Sequence, residues 1–199
     1  MSPRIAVFAK VPSVGRVKTR LASAIGPEAA LACYLRLLDL AIEATADFDT
    51  EVWFDGDVGA DWNERGLAIR QQSGEDLGER MHGAFVDGVT LVIGSDIPLI
   101  SKRYIVQAFE LLRTTDVVLG PTEDGGYCLI GMGHPHDELF HGISWSTSHV
   151  FDETVQVCRR IGIKCEVLPL LWDVDDYCDY QRWREMRPDE PTIVPCTTS

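Results

Sequence analysis

Five cations, Arg4, Lys10, Arg16, Lys18 and Arg20, fall within the first 27 residues, a stretch with no aspartate or glutamate. The whole chain carries a formal net charge of −13, so everything after that stretch is about −18. An apolar run, Ile5–Phe8, leads into Ala9-Lys10-Val11-Pro12-Ser13-Val14-Gly15-Arg16-Val17-Lys18-Thr19-Arg20. A short strand entering a cationic loop with proline and glycine suits a compact polyanion, most simply the phosphates of a nucleotide. An acidic surround confines that attraction to one mouth. The spacing is not that of a Gly-x4-Gly-Lys phosphate loop, because Arg16 and Val17 separate Gly15 from Lys18, nor is it Gly-x-Gly-x-x-Gly. The bland alternative is a solvated surface turn.

Two acidic positions could complete such a site. Asp96, in Gly94-Ser95-Asp96-Ile97-Pro98, is a lone carboxylate just past a hydrophobic run. It could bind Mg²⁺ that bridges phosphates, or it could serve as a turn or helix cap. Trp172-Asp173-Val174-Asp175-Asp176 packs three carboxylates into four residues. Their repulsion requires a cation or a helix N-terminus, and the simpler reading is that Asp175 or Asp176 caps a helix. A phosphoaspartate hydrolase would carry Asp-x-Asp after its first strand, whereas this one follows the last.

Asp124-Gly125-Gly126-Tyr127 reads as a tight turn with backbone amides free to meet a ligand, or as a structural hairpin. Ser73 to Met81 is another glycine-bearing loop that enters a helix. His134, His136 and His141 read as solvated loop residues rather than metal ligands. No Ser-His-Asp or Cys-His arrangement offers a covalent nucleophile.

The elements that must position these residues alternate. Strands are expected at Ile5–Phe8, Glu51–Asp55, Ala68–Gln71, Leu91–Gly94, Val117–Gly120, Tyr127–Met132 and Glu166–Leu170. Helices are expected at Pro27–Ala46, where apolar residues recur on one face, and at Asp76–Val89, Ser101–Leu112, Ser146–Ile161 and Asp176–Arg187. Strands alternating with helices imply an α/β three-layer sandwich with a mostly parallel sheet. Ligands gather at the carboxyl ends of such strands. The Lys10–Arg20 loop, Asp96 and the Asp173–Asp176 cluster all fall there.

At 199 residues and 45% hydrophobic, the chain suits one domain, 1–187, with an irregular proline-bearing tail, 188–199. The absence of a long apolar run and of a signal-peptide pattern leads us to expect a cytoplasmic protein. Six scattered cysteines with no Cys-x-x-Cys pair read as reduced thiols. The acidic balance argues against nucleic acid or an anionic membrane as partner. Oligomeric state is not legible.

Taken together, several segments resemble the nucleotide-diphospho-sugar transferase superfamily with the GT-A fold, over nearly the whole chain to about Glu185. They are Phe8-Ala-Lys10-Val-Pro12 with Gly15, Lys18-Thr-Arg20-Leu21, and Gln72-x-Gly74-x-x-Leu77-Gly78-x-Arg80-Met81. Gly94-Ser-Asp96-x-Pro98, Asp124-Gly-Gly-Tyr127 with Leu129-Ile-Gly131, Trp145-Ser146 and Asp173-Val-Asp175 complete the set. Within that superfamily the chain looks like small bacterial GT-A-like proteins described as glycosyltransferases. It is also similar to phospholactate guanylyltransferases and, more distantly, to molybdenum-cofactor guanylyltransferases.

The resemblance implies a transferase that uses Mg²⁺ or Mn²⁺ and acts on a nucleotide sugar or nucleoside triphosphate, with a small-molecule acceptor. Lys18 and Asp96 would be catalytic, and Asp96 and Asp175 would hold the metal. Ala9, Lys10, Gly15, Arg16, Lys18, Arg20, Gln72, Gly74, Leu77 and Gly78 would bind the nucleotide. Asp124, Gly125, Gly126 and Tyr127 would line the acceptor or sugar pocket. Asp176 departs from the pattern, where threonine is usual, and leaves the part played by Asp173 open. The double-glycine phosphate loop of sugar nucleotidyltransferases is missing. Glycosyl and nucleotidyl transfer therefore both stand, and a non-catalytic nucleotide-binding module is the alternative.

Overall fold

The computed structural model describes residues 3–59, 62 and 65–187. The expected tail, 188–199, lies outside the described residues. Strands β1 (Arg4–Ala9), β2 (Asp49–Phe54), β3 (Ala68–Gln71), β4 (Leu91–Gly94), β5 (Val117–Pro121), β6 (Tyr127–Met132) and β7 (Cys165–Val167) form one sheet. Its order is β3-β2-β1-β4-β6-β5-β7. The helices are α1 (Thr19–Ile25), α2 (Pro27–Ala44), α3 (Leu77–Val86), α4 (Lys102–Leu111), α5 (Val150–Ile161) and α6 (Tyr177–Met186).

The inner strands of the sheet are buried on both faces, which is why β1, β4, β5 and β6 read as continuous apolar runs, whereas the edge strands β3 and β7 do not. Ile5, Val7, Val52, Phe54, Leu91, Ile93 and Leu129 face one core, closed by Leu38 and Ile105. Ala6, Trp53, Val92, Leu119 and Ile130 face the other, closed by Met81, Phe85 and Val157. A third cluster joins α1, α2 and α6 through Leu21, Leu37, Tyr180 and Trp183.

The α/β sandwich expected from the sequence is the fold observed. β1 pairs in parallel with both β2 and β4. The chain proceeds outward through β2 and β3, then returns to build on the other side of β1. That reversal opens a crevice at the carboxyl ends of β1 and β4, where ligands bind in open α/β sheets. β6 runs antiparallel to both of its neighbours, β4 and β5. The hairpin turn at 122–126, closed by a bond from the Thr122 amide to the Gly126 carbonyl (3.1 Å), reverses the chain there.

Three local expectations are corrected. The cationic segment is not loop throughout, because α1 begins at Thr19. The helix expected from Ser146 begins only at Val150, since Ser146 adopts a left-handed φ of 63°. The last strand is short, Cys165–Val167, with an isolated bridge from Leu171 to Thr122 continuing its line.

Candidate functional site

Lys18 is the pivot of the crevice. It caps α1 in the left-handed region, φ 46° and ψ 48°. A non-glycine residue there carries strain of about 1 kcal/mol or more. The surrounding contacts hold it: Val17 and Leu21 are buried on either side, and the Lys18 side chain is only 5% exposed. Its Nζ donates to Asp96 Oδ2 at 2.9 Å and to Asp175 Oδ1 at 3.0 Å. Asp96 and Asp175, 78 and 157 positions from Lys18 in sequence, therefore share its ammonium.

The two carboxylates reach that point from different elements. Asp96 follows β4, and its carbonyl accepts from the Val174 amide at 3.1 Å, which ties the β4 loop to the Asp173–Asp175 segment. Asp175 is half-exposed and also meets Arg20 at 3.5 Å. Asp173 joins them: Asp96, Asp173 and Asp175 each offer an oxygen, and the three lie within 4.8 Å of one another. Carboxylate oxygens are the donors that Mg²⁺ and Mn²⁺ prefer, so this set fits a hard divalent ion.

The electrostatics follow from that packing. Burial opposes the charge on Lys18, but Asp96 and Asp175 outweigh it and hold the ammonium above the ordinary lysine range. Burial likewise opposes the charge on Asp96, yet Lys18 keeps this carboxylate below its usual value. Asp173 has no such partner. Burial first, then repulsion from Asp96, Asp124 and Asp175, pushes it up to about 7. Of the sequence's two candidate caps, Asp176 is the one used. Its carboxylate accepts from the amides of Cys178 (2.8 Å) and Asp179 (3.1 Å), in a capping box with Asp179. That frees Asp175 for the crevice.

Two adjoining cavities meet at this cluster. The first, about 790 Å³, is lined by Ala9, Lys10, Arg16, Lys18, Arg20, Gln72 and Leu77, all singled out in the sequence. Tyr34, Asp55 and Arg80 also line it, and none of these was in the expected set of site residues. Tyr34 fastens the loop: its hydroxyl accepts from the Lys10 amide at 2.7 Å and donates to the Lys10 carbonyl at 2.9 Å. Asp55 accepts from the Val11 amide at 2.7 Å. The Gln72 side-chain amide donates to the carbonyls of Trp53 (2.7 Å) and Ala9 (3.2 Å), which leaves its oxygen for a ligand.

The glycines of this region act through the backbone. Gly15, at φ 74°, makes the loop's turn. Gly74, at φ 142°, sits against Glu79 and Arg80. A Cβ on Gly78 would lie 2.4 Å from the Trp145 indole nitrogen, so glycine lets Trp145 lie across the start of α3. None of the three lines the first cavity.

The second cavity, about 540 Å³, is lined by Asp124, Gly126 and Tyr127 together with Asp173. Trp145, Leu77, Asp96 and Asp175 border both cavities. One expectation fails here. The Gly125 and Gly126 amides are not free for a ligand, because they donate to the Thr122 carbonyl and to Asp124 Oδ1, both at 3.0 Å. The turn consumes its own donors. Gly125 is needed because a Cβ there would lie 2.2 Å from the Ser148 carbonyl. Arg182 grips Glu123 with two bonds, 2.7 and 2.9 Å, and stacks over Trp172 at 4.3 Å. α6 thereby clamps the turn that bears Asp124 to the segment that bears Asp173.

Comparison with known proteins places this arrangement. Residues 37–147 match a family described as uncharacterized protein conserved in bacteria (DUF2064). A similar solved structure is that of a protein from Desulfovibrio desulfuricans G20, provisionally named a nucleotide-diphospho-sugar transferase. It is 31% identical with a TM-score of 0.84, covering 96% of this chain and 90% of that one. The fold is also that of molybdopterin-guanine dinucleotide biosynthesis protein A from Archaeoglobus fulgidus, at 14% identity and a TM-score of 0.56, over 94% of this chain and 99% of that one. 4-Diphosphocytidyl-2C-methyl-D-erythritol synthase from Anaerococcus prevotii DSM 20548 shares it at 8% identity and a TM-score of 0.55, over 94% and 99%. No curated protein matches significantly. The resemblance to the nucleotide-diphospho-sugar transferase superfamily is thus borne out.

Proposed function

The chain belongs to the bacterial DUF2064 family, whose description names no reaction, and we propose that the protein is a metal-dependent transferase acting on a nucleotide sugar or nucleoside triphosphate. The observation that carries this reading is the convergence of Lys18, Asp96, Asp173 and Asp175 between a cavity that gathers five cations and a second cavity. A nucleotide-binding module without turnover has no need for a second cavity beside the phosphate-binding cations.

In this reading, Lys10, Arg16, Lys18 and Arg20 draw the phosphates into the first cavity, with the base toward Ala9, Gln72 and Leu77. Asp96 and Asp175, with Asp173 as a third donor, hold Mg²⁺ or Mn²⁺. The ion, when bound, offsets charge on the phosphate oxygens. Lys18 turns from the carboxylates toward the incoming phosphate and neutralises the charge that grows on the leaving group. Trp145 and Leu77 separate the nucleotide from the acceptor and restrict water at the reacting centre. Asp124, with the Gly125–Tyr127 turn, borders the acceptor.

In nucleotidyl transfer, an acceptor oxygen attacks the α-phosphorus and pyrophosphate leaves. In glycosyl transfer, the acceptor attacks the sugar carbon and nucleoside diphosphate leaves. Residues 1–187 act as one cytoplasmic transferase domain in this reading, and no described helix is long and apolar enough to cross a membrane.

The test is a thermal-shift panel of nucleoside triphosphates and nucleotide sugars with Mg²⁺ or Mn²⁺, followed by mass spectrometry of products. A nucleotide present at 100 times its dissociation constant adds about 2.7 kcal/mol of stability. If no nucleotide shifts the melting temperature, the proposal fails.

A further inference from the structure

The two cavities differ sharply in charge. In the first, five cations, Lys10, Arg16, Lys18, Arg20 and Arg80, match five carboxylates, Asp55, Glu75, Asp76, Asp96 and Asp175. The second has a single cation, Arg20, at the boundary it shares with the first. Against it stand Asp96, Asp124, Asp173 and Asp175. Its floor is apolar: Met81, Val92, Ile130 and Val150 are each 6% exposed or less. These four come from α3, β4, β6 and α5, so the floor belongs to the packed core and is formed before any ligand arrives. At about 540 Å³ the cavity falls within the range of small-molecule sites.

The charge balance excludes an anionic occupant. Over the two cavities together, seven carboxylates, Asp55, Glu75, Asp76, Asp96, Asp124, Asp173 and Asp175, balance a divalent ion and five cations, Lys10, Arg16, Lys18, Arg20 and Arg80. The donor's own phosphates then leave the centre net negative. An acceptor phosphate or carboxylate in the second cavity would face that excess with no cation beyond the shared Arg20, over an apolar floor and with only neutral hydroxyls such as those of Ser146 and Ser148 to receive it. A neutral hydroxyl suffers neither cost, and an apolar body behind it fills the floor.

We infer that the second cavity takes an uncharged, hydroxyl-bearing acceptor with an apolar body, and not a phosphorylated or carboxylate-bearing one. This deepens the transferase reading and rests on it for the word acceptor; the cavity's preference for neutral ligands stands on the lining alone.

The test uses ligand-observed saturation-transfer NMR on the full chain with a matched set, benzyl alcohol, benzyl phosphate and benzoate. Samples are run alone and with Mg²⁺ plus ADP, GDP, CDP or UDP, and nucleotide affinity is measured separately by calorimetry. Benzyl alcohol is expected to bind at least tenfold more tightly than either anion, with or without nucleotide. Val150→Lys places a cation on the floor and is expected to reverse that order. If that variant does not fold, Thr147→Lys, at an exposed position that lines only the second cavity, makes the same test. Nucleotide binding accompanied by an equal or stronger preference for benzyl phosphate or benzoate would overturn the inference and leave the transferase reading intact. Failure of all three probes to bind would overturn it too. Loss of nucleotide binding, with the alcohol still preferred, would overturn the transferase reading alone.

Discussion

Lys18→Met keeps the length of the side chain and removes its charge, and its effects run in opposite directions with and without nucleotide. In the nucleotide-free protein the ammonium spans Asp96 and Asp175 at 2.9 and 3.0 Å, two of the three carboxylates an ion would use. An ion among those carboxylates would lie about 4 Å from Nζ. Two unit charges repel by about 1 kcal/mol at that distance in water, and a divalent ion doubles this to about 2 kcal/mol. Removing the ammonium should therefore raise Mn²⁺ affinity at least tenfold without nucleotide. With nucleotide present, Lys18 is the phosphate's partner, and its loss should weaken nucleotide binding and lower turnover about 100-fold or more. Mn²⁺ binding is read by electron paramagnetic resonance of the free ion, on wild type and Lys18→Met, with and without each nucleoside diphosphate. If the variant binds Mn²⁺ no more tightly than wild type in the absence of nucleotide, Lys18 does not compete for the carboxylates. The account of the crevice as a shared ammonium and metal position would then be wrong.

Asp96→Asn should abolish most of the mutual tightening between metal and nucleotide while leaving the fold intact, as read by calorimetric titration with and without Mg²⁺; unchanged coupling would mean that Asp96 holds no ion. Asp173, raised in the fold from an ordinary 3.8 to about 7, keeps its proton more firmly folded than unfolded. Its contribution to stability is therefore lost as pH rises from about 4 to about 7. In EDTA, Asp173→Asn should flatten the fall in melting temperature over that window, and parallel slopes for variant and wild type would refute the assignment. Asp176→Ala should cost about 1 kcal/mol, the loss of an N-cap, in chemical denaturation. It should leave nucleotide-bound Mn²⁺ affinity within twofold, whereas a larger loss would place Asp176 among the metal ligands.

Legibility from sequence tracked the range of the forces involved. Strands such as Leu91–Gly94 and Val117–Pro121 are buried on both faces, so their composition alone declares them. Helix α4 was legible at its start, where Ser101 accepts from the Tyr104 amide at 3.4 Å. The clustering of Lys10, Arg16, Lys18 and Arg20 without a compensating acid was legible for the same reason, because the charges are local, and all four line one cavity. Conformation at Lys18 and Ser146 was not legible, because a left-handed φ on a non-glycine residue is imposed by packing from outside the segment. A hairpin joining β5 to β6 was one of the readings of the Asp124–Tyr127 turn, but the antiparallel pairing of β6 with β4 was not legible, since those two strands are not adjacent in sequence. The capping pattern alone did not separate Asp175 from Asp176, although the resemblance put Asp175 at the metal. The cap went to Asp176, with Asp179 of the helix's first turn completing the capping box. Asp173 became a third oxygen donor only when β4 and the β7–α6 segment met across the Val174 to Asp96 bond. The sequence by itself specified which charges exist and which runs must be buried. The fold decided which carboxylates share one ammonium, because that depends on contacts between residues 157 positions apart.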